Sequence, residues 1–177
     1  MQPNELSQDA VEQAKALDSK AIAALFEYYY PKIYRYFYYR LRANEDAEDL
    51  ASEVFVKVVR SIRHQAGNFE AWLYMIAKNT LTDYYRRKSV RRENTMDETI
   101  LETVPDDKRP VDDPFAQEEL KKNISRLSEE QQQVILLKFI EGFDNAKIAE
   151  IMGKTIGAVK ALQFRALANL KQLMKEG

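Results

Sequence analysis

The amino-acid sequence predicts an all-α protein made of two small helical domains. Apolar residues recur at intervals of three and four along most of the chain, which is the period of an amphipathic helix. Glycine occurs only five times in 177 residues, and helix-capping residues precede several apolar stretches. We therefore expect helical domains over residues 1–88 and 115–177, joined by a flexible acidic linker at residues 89–114.

A shift in composition predicts the linker. Residues 89–114 carry four basic and eight acidic side chains, and they contain Pro105, Pro110 and Pro114 of the chain's five prolines. Few residues of this segment are apolar, so it cannot bury a core of its own. The flanking segments each carry a small basic excess, although the net charge of the chain is −1.

The first half of the first domain is predicted to form a short and then a long helix. The short helix covers residues 9–17, and Asp18 or Ser19 caps the long one, which runs to Leu41. Pro31 lies inside the long helix, where a missing N–H and a steric clash should kink the helix or restart it.

The third predicted helix covers residues 45–62 after a cap at Asn44. Its core face is formed by Ala47, Leu50, Ala51, Val54, Phe55 and Val58. Acids near a helix N-terminus are favourable for the helix dipole, which explains part of the charge in its first half. Four acids on an exposed arc also form a negative docking face: Asp46, Glu48, Asp49 and Glu53.

A polar loop at residues 61–68 leads into the fourth helix, residues 69–88. Aromatic and basic residues alternate there, and unpaired bases stack on aromatic rings while Lys and Arg hold phosphates. Trp72 and Tyr74 are the candidates for stacking, and Trp72 could instead be a core residue at the loop–helix junction. The basic end of the helix, including Arg86 and Arg87, could simply complement the helix dipole.

The polar loop ahead of these aromatic residues is also a candidate pocket for an extruded base. Such a base needs a polar partner for its edge and an aromatic or apolar wall. Arg63, Gln65 and Asn68 are the candidate donors, and Lys78 and Asn79 would hold the adjoining strand. The alternative is an ordinary loop between helices whose aromatic residues only close the core.

The last third of the chain predicts a helix-turn-helix. Ser128 opens one helix that Gly142 ends, and Asp144 caps a second, short helix over residues 145–152. Gly153 supplies the turn, after which Thr155 caps the last helix, whose inner face is Val159, Leu162, Ala166 and Leu170. Residues 144–175 contain six basic and two acidic side chains, the local excess that binding to DNA phosphates requires.

Composition excludes several classes of function. The chain has no cysteine and a single histidine, His64, which argues against disulfides, thiolate or histidine metal sites and a Ser-His-Asp triad. No glycine-rich phosphate loop occurs. No signal peptide and no stretch of about 20 apolar residues is present. Magnesium sites made of carboxylates alone stay open on these grounds. We expect a cytoplasmic protein that is not an enzyme and that uses neither a cofactor nor a metal.

Motifs in both halves of the chain, in this order, resemble the extracytoplasmic-function (ECF, group 4) sigma factors of the sigma-70 family. Residues 46–55 (DAEDLASEVF), 69–79 (FEAWLYMIAKN) and 83–87 (DYYRR) look like sigma domain two. The terminal helix-turn-helix, with GAVK at 157–160 and RAL at 165–167, looks like sigma domain four. The resemblance covers nearly the whole chain outside the linker.

The resemblance implies that the protein makes core bacterial RNA polymerase promoter-specific. The acids Asp46, Glu48, Asp49 and Glu53 would dock on the β′ coiled coil, and the fourth domain would meet the β flap. The loop and the fourth helix would recognise and melt the −10 element. The residues implied there are Arg63, Gln65, Asn68, Trp72, Tyr74, Lys78, Asn79, Arg86 and Arg87.

The last helix would enter the major groove of the −35 element. Its candidate contacts are Thr155, Gly157, Ala158, Lys160, Ala161, Gln163, Phe164 and Arg165. Ala158, Ala161 and Leu162 replace the Thr, Ser and Arg found in many members, so fewer hydrogen-bonding groups face the groove. The linker would thread toward the polymerase active centre, and an anti-sigma factor is a further candidate partner.

Two other classes of function stay open at this point. A stand-alone helix-turn-helix regulator would account for residues 128–174 but would leave the acidic and basic helices without a role. An enzyme could place a magnesium ion between Asp46 and Asp49 or between Asp49 and Glu53, which share a helix face. Nothing near these acids supplies a general base or a phosphate cradle.

Overall fold

The protein is helical throughout the part of the chain that the structure describes, as predicted. A computed structural model describes residues 6–94 and 114–176, with side chains for residues 6–91 and 115–176. Most of the predicted linker, residues 95–113, lies outside these residues. Eight α-helices occur in the described ranges: α1 Gln8–Lys15, α2 Ser19–Tyr38, α3 Asn44–Ser61, α4 Phe69–Asn94, α5 Pro114–Ser125, α6 Glu129–Ile135, α7 Asn145–Met152 and α8 Ile156–Glu176.

These helices form two compact units. The first contains α1 to α4, and the second contains α5 to α8 together with the short segment Tyr38–Asn44. None of the helices in the described ranges combines the length and apolar character that crossing a lipid bilayer requires.

The first unit is built around α2, α3 and α4. All six residues of the predicted core face of α3 are buried. They pack with aromatic side chains of α2, since Phe55 meets the ring of Phe26 edge-on at 5.1 Å. Helix α4 buries Leu73, Ala77 and Leu81, and it extends to Asn94, six residues beyond the predicted end.

Helix α2 is continuous through Pro31, so the predicted restart is wrong, whereas the kink stays a prediction. Proline removes one N–H donor, but Pro31 is exposed, and water can bond the carbonyl group that this donor would have satisfied. Tyr29 and Ile33 are buried on the opposite side, and their packing holds both halves of the helix on one core. Asp18 provides the predicted cap, accepting from the Ala21 N–H at 3.0 Å.

The connection between α3 and α4 has more regular structure than the polar loop that the sequence predicts. It begins with a single 3-10 turn, Ile62–His64, and the side chain of Ile62 is almost completely buried. Asn68 then caps α4 by accepting from the Ala71 N–H at 2.9 Å. These contacts fix both ends of the connection on the core.

The second unit contains the predicted helix-turn-helix. Helix α8 packs against α6 and α7, and the four predicted inner residues of α8 are all buried. Ser128 and Asp144 cap α6 and α7 as expected, accepting from the N–H groups of Gln131 and Lys147. Helix α5, which the sequence analysis did not predict, begins with proline, a favoured first residue of a helix.

Helix α6 does not continue as a regular α-helix to Gly142. It changes at Leu136–Ile140 into one π-helical turn, in which the Glu141 N–H reaches back to the Leu136 carbonyl at 2.9 Å. Leu136 and Leu137 remain buried in this turn, whereas Phe139 is exposed. Two consecutive leucines of this turn thus lie in the core.

Gly153 sets the angle between α7 and α8. Its φ is +65°, and the following N–H, that of Lys154, donates to the Ala149 carbonyl at 3.0 Å to close the turn. A Cβ atom at Gly153 or at Gly157 would meet no other atom within 4 Å. The two glycines therefore differ in backbone conformation and not in the space around them.

We predict that Gly153→Ala destabilises the second unit by about 1–2 kcal/mol, because an L-residue is strained in the left-handed region. The matched control is Gly157→Ala, which should be neutral or stabilising by up to about 1 kcal/mol. Urea unfolding of the full chain, followed by circular dichroism, measures both. Equal effects of the two substitutions would contradict the role of the turn.

Candidate nucleic-acid interface

The four acids predicted to dock on a partner divide between two faces of α3. Glu48 and Asp49 are exposed, whereas Asp46 and Glu53 are half-buried where α3 packs against α4. The Tyr84 hydroxyl donates to Asp46 Oδ2 at 2.7 Å, and Arg87 Nη2 lies 3.4 Å from Glu53 Oε2. Two acids thus join the helices to each other, and two are free for a partner.

Glu53 has a second cationic neighbour on its own helix. Lys57 Nζ lies 3.5 Å from Glu53 Oε1 and donates to Thr80 Oγ1 at 2.9 Å. We name the three links Tyr84–Asp46, Arg87–Glu53 and Lys57–Thr80 the α3–α4 seam. Because Asp46 and Glu53 contact residues of α4, acidic residues on α3 are not by themselves evidence of a docking surface.

Burial at the seam changes the protonation of Tyr84. Burial raises the pKa of the Tyr84 hydroxyl well above its usual value, and the hydrogen bond to Asp46 and the negative charge of that carboxylate raise it further. The hydroxyl therefore stays a donor to Asp46 throughout the physiological pH range.

The three predicted donors of the loop differ in availability. Arg63 is exposed. Gln65 is only 5% exposed, and its Nε2 donates to the Gly67 carbonyl at 2.9 Å. Asn68 uses its side-chain oxygen as the cap of α4, so its amide group remains for a ligand. Gln65 Oε1 is buried and has no hydrogen-bond partner among the described residues.

The two predicted stacking residues of α4 also differ. Tyr74 is completely buried, and its ring meets Tyr36 edge-on at 5.8 Å, so the structure removes it from the set of stacking residues. Tyr74 is three residues before Ala77 and seven before Leu81, a spacing that already places it on the inner face. Trp72 is half-buried, with its ring 5.7 Å from that of Phe69.

The polar side of α4 is presented to solvent. Asn79 and Arg86 are exposed and Lys78 is half-buried. Arg86 lies 4.0 Å from Asp83, and both side chains are more than half exposed, so this pair contributes little to stability and leaves Arg86 available. Arg87, by contrast, is engaged at the seam.

Helix α8 presents most of the predicted −35 contacts on one exposed arc. The exposed members of the set are Thr155, Gly157, Ala158, Lys160, Ala161, Phe164 and Arg165. Phe164 is 77% exposed, a high value for a large apolar ring. Thr155 caps the helix by accepting from the Ala158 N–H at 3.1 Å.

Gln163 differs from the rest of the predicted −35 set. Its Nε2 donates to Asn145 Oδ1 at 2.7 Å, which ties α8 to the start of α7. The contact gives Gln163 a role in orienting the two helices, which a spacing argument on α8 alone could not reveal.

A basic pair at the end of α3 was not predicted from the sequence. Lys57 and Arg60 line an open groove between α3 and α4 together with Ser61, Ile76 and Asn79. Basic residues near a helix C-terminus are usually explained by the dipole, so the sequence carried no separate signal. No group of three or more histidine, aspartate or glutamate residues suited to a metal ion occurs in the described ranges.

Comparison with known proteins identifies the family of both units. Residues 25–91 match the family description "Sigma-70 region 2", and residues 117–170 match "Sigma-70, region 4". The chain is 35% identical to the ECF RNA polymerase sigma factor BldN of Streptomyces coelicolor, covering 95% of this chain and 66% of that protein. It is 33% identical to the ECF RNA polymerase sigma-E factor of Haemophilus influenzae, covering 90% of each.

The chain belongs to the ECF family of RNA polymerase sigma factors. Its fold is also similar to that of the sigma factor RpoE of Bartonella quintana, solved with the anti-sigma factor NepR. The TM-score is 0.74 at 24% identity, and the match covers 88% of this chain and 98% of the other. The two family matches and the similar sigma factors confirm the family resemblance stated from the motifs.

The family matches cover the surfaces described above. The region 2 match runs from α2 to α4 and includes the seam, the loop and the exposed side of α4. The region 4 match includes the turn at Gly153 and the exposed arc of α8. Both parts of this sigma factor that carry exposed basic residues are thus parts that the family shares.

We predict that Tyr84→Phe removes a pH-dependent part of the stability of the sigma factor. Because the folded-state pKa of Tyr84 is raised, the unfolded chain ionises first, and the wild-type free energy of unfolding should fall as pH rises above about 10. Urea unfolding at pH 8 and at pH 10 to 11 measures this fall. It should be smaller in Tyr84→Phe, and the same fall in both proteins would show that Tyr84 is not the group responsible.

Proposed function

We propose that three surfaces of this sigma factor have separate functions. The exposed acids of α3 bind core RNA polymerase, the loop and α4 open the −10 element, and α8 recognises the −35 element. The observation that carries the proposal is the separation of exposed acids from exposed bases on the helix pair α3 and α4. The protein then acts as a promoter-specificity subunit in the cytoplasm and performs no chemistry of its own.

Core polymerase binds the exposed stripe of α3 in this proposal. Glu45, Glu48 and Asp49 are exposed near the start of the helix, and Val56 and Val59 continue the same stripe toward its end. An acidic half beside an apolar half fits a partner helix with basic and apolar residues, for which the β′ coiled coil is the candidate. The β flap is the candidate for the second unit, and an anti-sigma factor is a further candidate partner.

The −10 element is opened by the loop and the exposed side of α4. Arg63, Asn79 and Arg86 supply exposed polar groups, and Trp72 supplies an aromatic edge. Binding a flipped base in a pocket offsets the few kcal/mol that unpairing costs. Lys78 and Arg87 lie on the same helix as these groups. Arg87 would contact DNA only after its ion pair with Glu53 breaks.

Gln65 is the residue we assign to the edge of the extruded base. Its Oε1 is buried without a partner among the described residues, and an unsatisfied buried acceptor costs about 1–3 kcal/mol. An exocyclic amine of a base would satisfy this acceptor once the loop moves. Asn68 supports the pocket by capping α4 and still offers its amide group.

The exposed arc of α8 reads the −35 element. Lys160 and Arg165 supply charge for phosphates or base edges, and Phe164 can contact a thymine methyl group. Ala158 and Ala161 allow close approach to the groove without adding hydrogen bonds. In this proposal the acidic linker runs toward the polymerase active centre.

Run-off transcription tests the function as a whole. Core polymerase with this protein, over a library of randomised promoters, should give transcripts from a subset that shares one −35 and one −10 sequence. Core polymerase alone should give none of them. Duplex binding by the free protein at the same affinity, without any stimulated transcript, would instead favour the stand-alone helix-turn-helix regulator.

We predict that Asp49→Lys weakens binding to core polymerase at least several-fold without changing the fold, because Asp49 is exposed and has no role at the seam. The matched control is Asp9→Lys, the same change at an exposed acid of α1. Affinity is measured by fluorescence anisotropy of labelled sigma factor, and folding by circular dichroism. Equal affinities of the two variants would reject the docking face.

We predict that Arg165→Ala costs about 1–3 kcal/mol in promoter binding and relaxes preference at one −35 position if Arg165 reads a base. If it holds a phosphate, all −35 variants should weaken alike and the salt dependence should fall. Competition binding of the holoenzyme to single-position promoter variants separates the two. Unchanged affinity for every variant would remove Arg165 from the interface.

A further inference from the structure

Helix α1 packs against the start of the loop at residues 61–68. Its partner there is the 3-10 turn Ile62–His64, which leads directly to Gln65. Helix α1 lies outside the region 2 match, which begins at residue 25. Neither the family match nor the surfaces described above therefore include this helix.

Apolar burial holds α1 on the first unit. Val11 and Ala14 are buried, and they lie three residues apart on one face of the helix. Ile62 of the 3-10 turn is buried as well. Removal of apolar surface from water is the main favourable contribution to such packing, so α1 is part of the support of the turn.

The core around the turn is not completely filled. Ile62 lines an apolar cavity of about 30 Å³ together with side chains of α2 and α3 that include Leu25, Phe55 and Val58. Side chains that line a void lose dispersion contacts on that side. The turn therefore has room to shift, and its packing with α1 opposes the shift.

The turn is linked to Gln65 through the backbone. The Gln65 N–H donates to the Ile62 carbonyl at 3.1 Å, so a shift of the turn moves Gln65 with it. Gln65 Oε1 is the buried acceptor that has no partner among the described residues, and the proposed capture of a base requires this part of the loop to move. Packing of α1 on the turn raises the free-energy cost of that movement.

The connection from α1 to α2 is strained. Leu17 has a φ of +62°, a left-handed conformation that residues other than glycine seldom adopt. The Leu17 N–H donates to the Ala14 carbonyl at 2.9 Å. The Asp18 N–H donates to the Gln13 carbonyl at 3.2 Å, which completes a Schellman motif. A strained residue persists only where the surrounding structure holds it, and the packing of α1 is one such contact.

We propose that α1 is a positioning element for the −10 loop. By holding the 3-10 turn, it sets the cost of the loop movement that captures a base, and thereby the selectivity for that base. The proposal rests on the proposed function, because it names what restrains the site assigned to Gln65. Weaker packing of α1 lets the loop adapt to any base, whereas a site held in one conformation discriminates between bases.

Hydrogen exchange of the free, full-length protein tests the link between α1 and the loop. Ser7→Ala removes the cap of α1, since the Ser7 hydroxyl accepts from the Ala10 N–H at 3.2 Å. Leu17→Gly relieves the left-handed conformation. Both residues are exposed, so neither change opens a cavity. The matched control is Ser128→Ala, which removes the cap of α6 in the second unit.

Amide exchange in residues 62–68, measured by mass spectrometry, should become faster in Ser7→Ala by up to about fivefold, the effect of one lost helix cap. It should become slower in Leu17→Gly and keep the wild-type rate in Ser128→Ala. Wild-type exchange in both α1 variants would overturn the proposal. Equal acceleration in Ser7→Ala and Ser128→Ala would also overturn it, because the effect would then not come from α1.

Base selectivity tests the consequence for DNA. The probes are fluorescein-labelled single strands that carry the −10 non-template sequence of a promoter recovered by the run-off selection, with every base in turn at each position. Each protein is assembled with core polymerase before binding is measured. Ser7→Ala should lower the ratio of affinities for the preferred and the next-best base at one position, by up to about fivefold.

A purely structural effect of Ser7→Ala would weaken binding of all probes alike. An equal loss for all probes, or unchanged ratios at every position, would overturn the role of α1 in selectivity. Failure of the wild-type holoenzyme to bind any probe would instead overturn the proposed function. The exchange rates of the free protein separate these two failures, because they report on α1 and the loop without DNA.

Discussion

The hydrogen bond between Tyr84 and Asp46 is the interaction on which the surfaces of the first unit most depend. Hydrogen bonds to charged groups contribute about 1.5–3 kcal/mol, whereas exposed ion pairs contribute about 0–1 kcal/mol. The Tyr84–Asp46 bond, like the bond from Lys57 to Thr80, involves a charged group and therefore contributes more than the ion pair of Arg87 and Glu53. It fixes the rotation of α3 relative to α4, and this rotation decides which side chains reach solvent. Glu48 and Asp49 face outward because Asp46 and Glu53 face α4.

In the second unit, a backbone conformation between two helices determines which side chains are exposed. The left-handed conformation at Gly153 turns the chain between α7 and α8, and the contact from Gln163 to Asn145 holds the two helices after the turn. Four buried residues of α8 then leave one arc exposed, which includes Phe164 and Arg165. In both units, polar contacts between helices help to orient the surface that is proposed to bind, while the apolar core supplies most of the stability.

The sequence was sufficient for features that depend on local chemistry. Caps such as Ser128 and Asp144 act within one turn, and the buried face of α3 follows from its own spacing, so both predictions are confirmed. Features that depend on a distant partner were not predictable. Nothing near Asp46 in the sequence indicates that Tyr84 will bond it, and nothing near Gln65 indicates that its side chain turns inward. Pro31 belongs to this second group, because packing on the buried side of α2 overrides the local cost of proline.

The proposed separation of a polymerase-binding face from a DNA-opening face is tested most directly by permanganate reactivity of promoter thymines, measured with saturating core polymerase. With Asp49→Lys, reactivity in the −10 element should return to the wild-type level once the polymerase is saturating, because only docking is weakened. With Arg63→Ala and Asn79→Ala combined, reactivity should be lost although the polymerase is bound. Full reactivity in the combined variant, or lasting loss in bound Asp49→Lys, would contradict the separation.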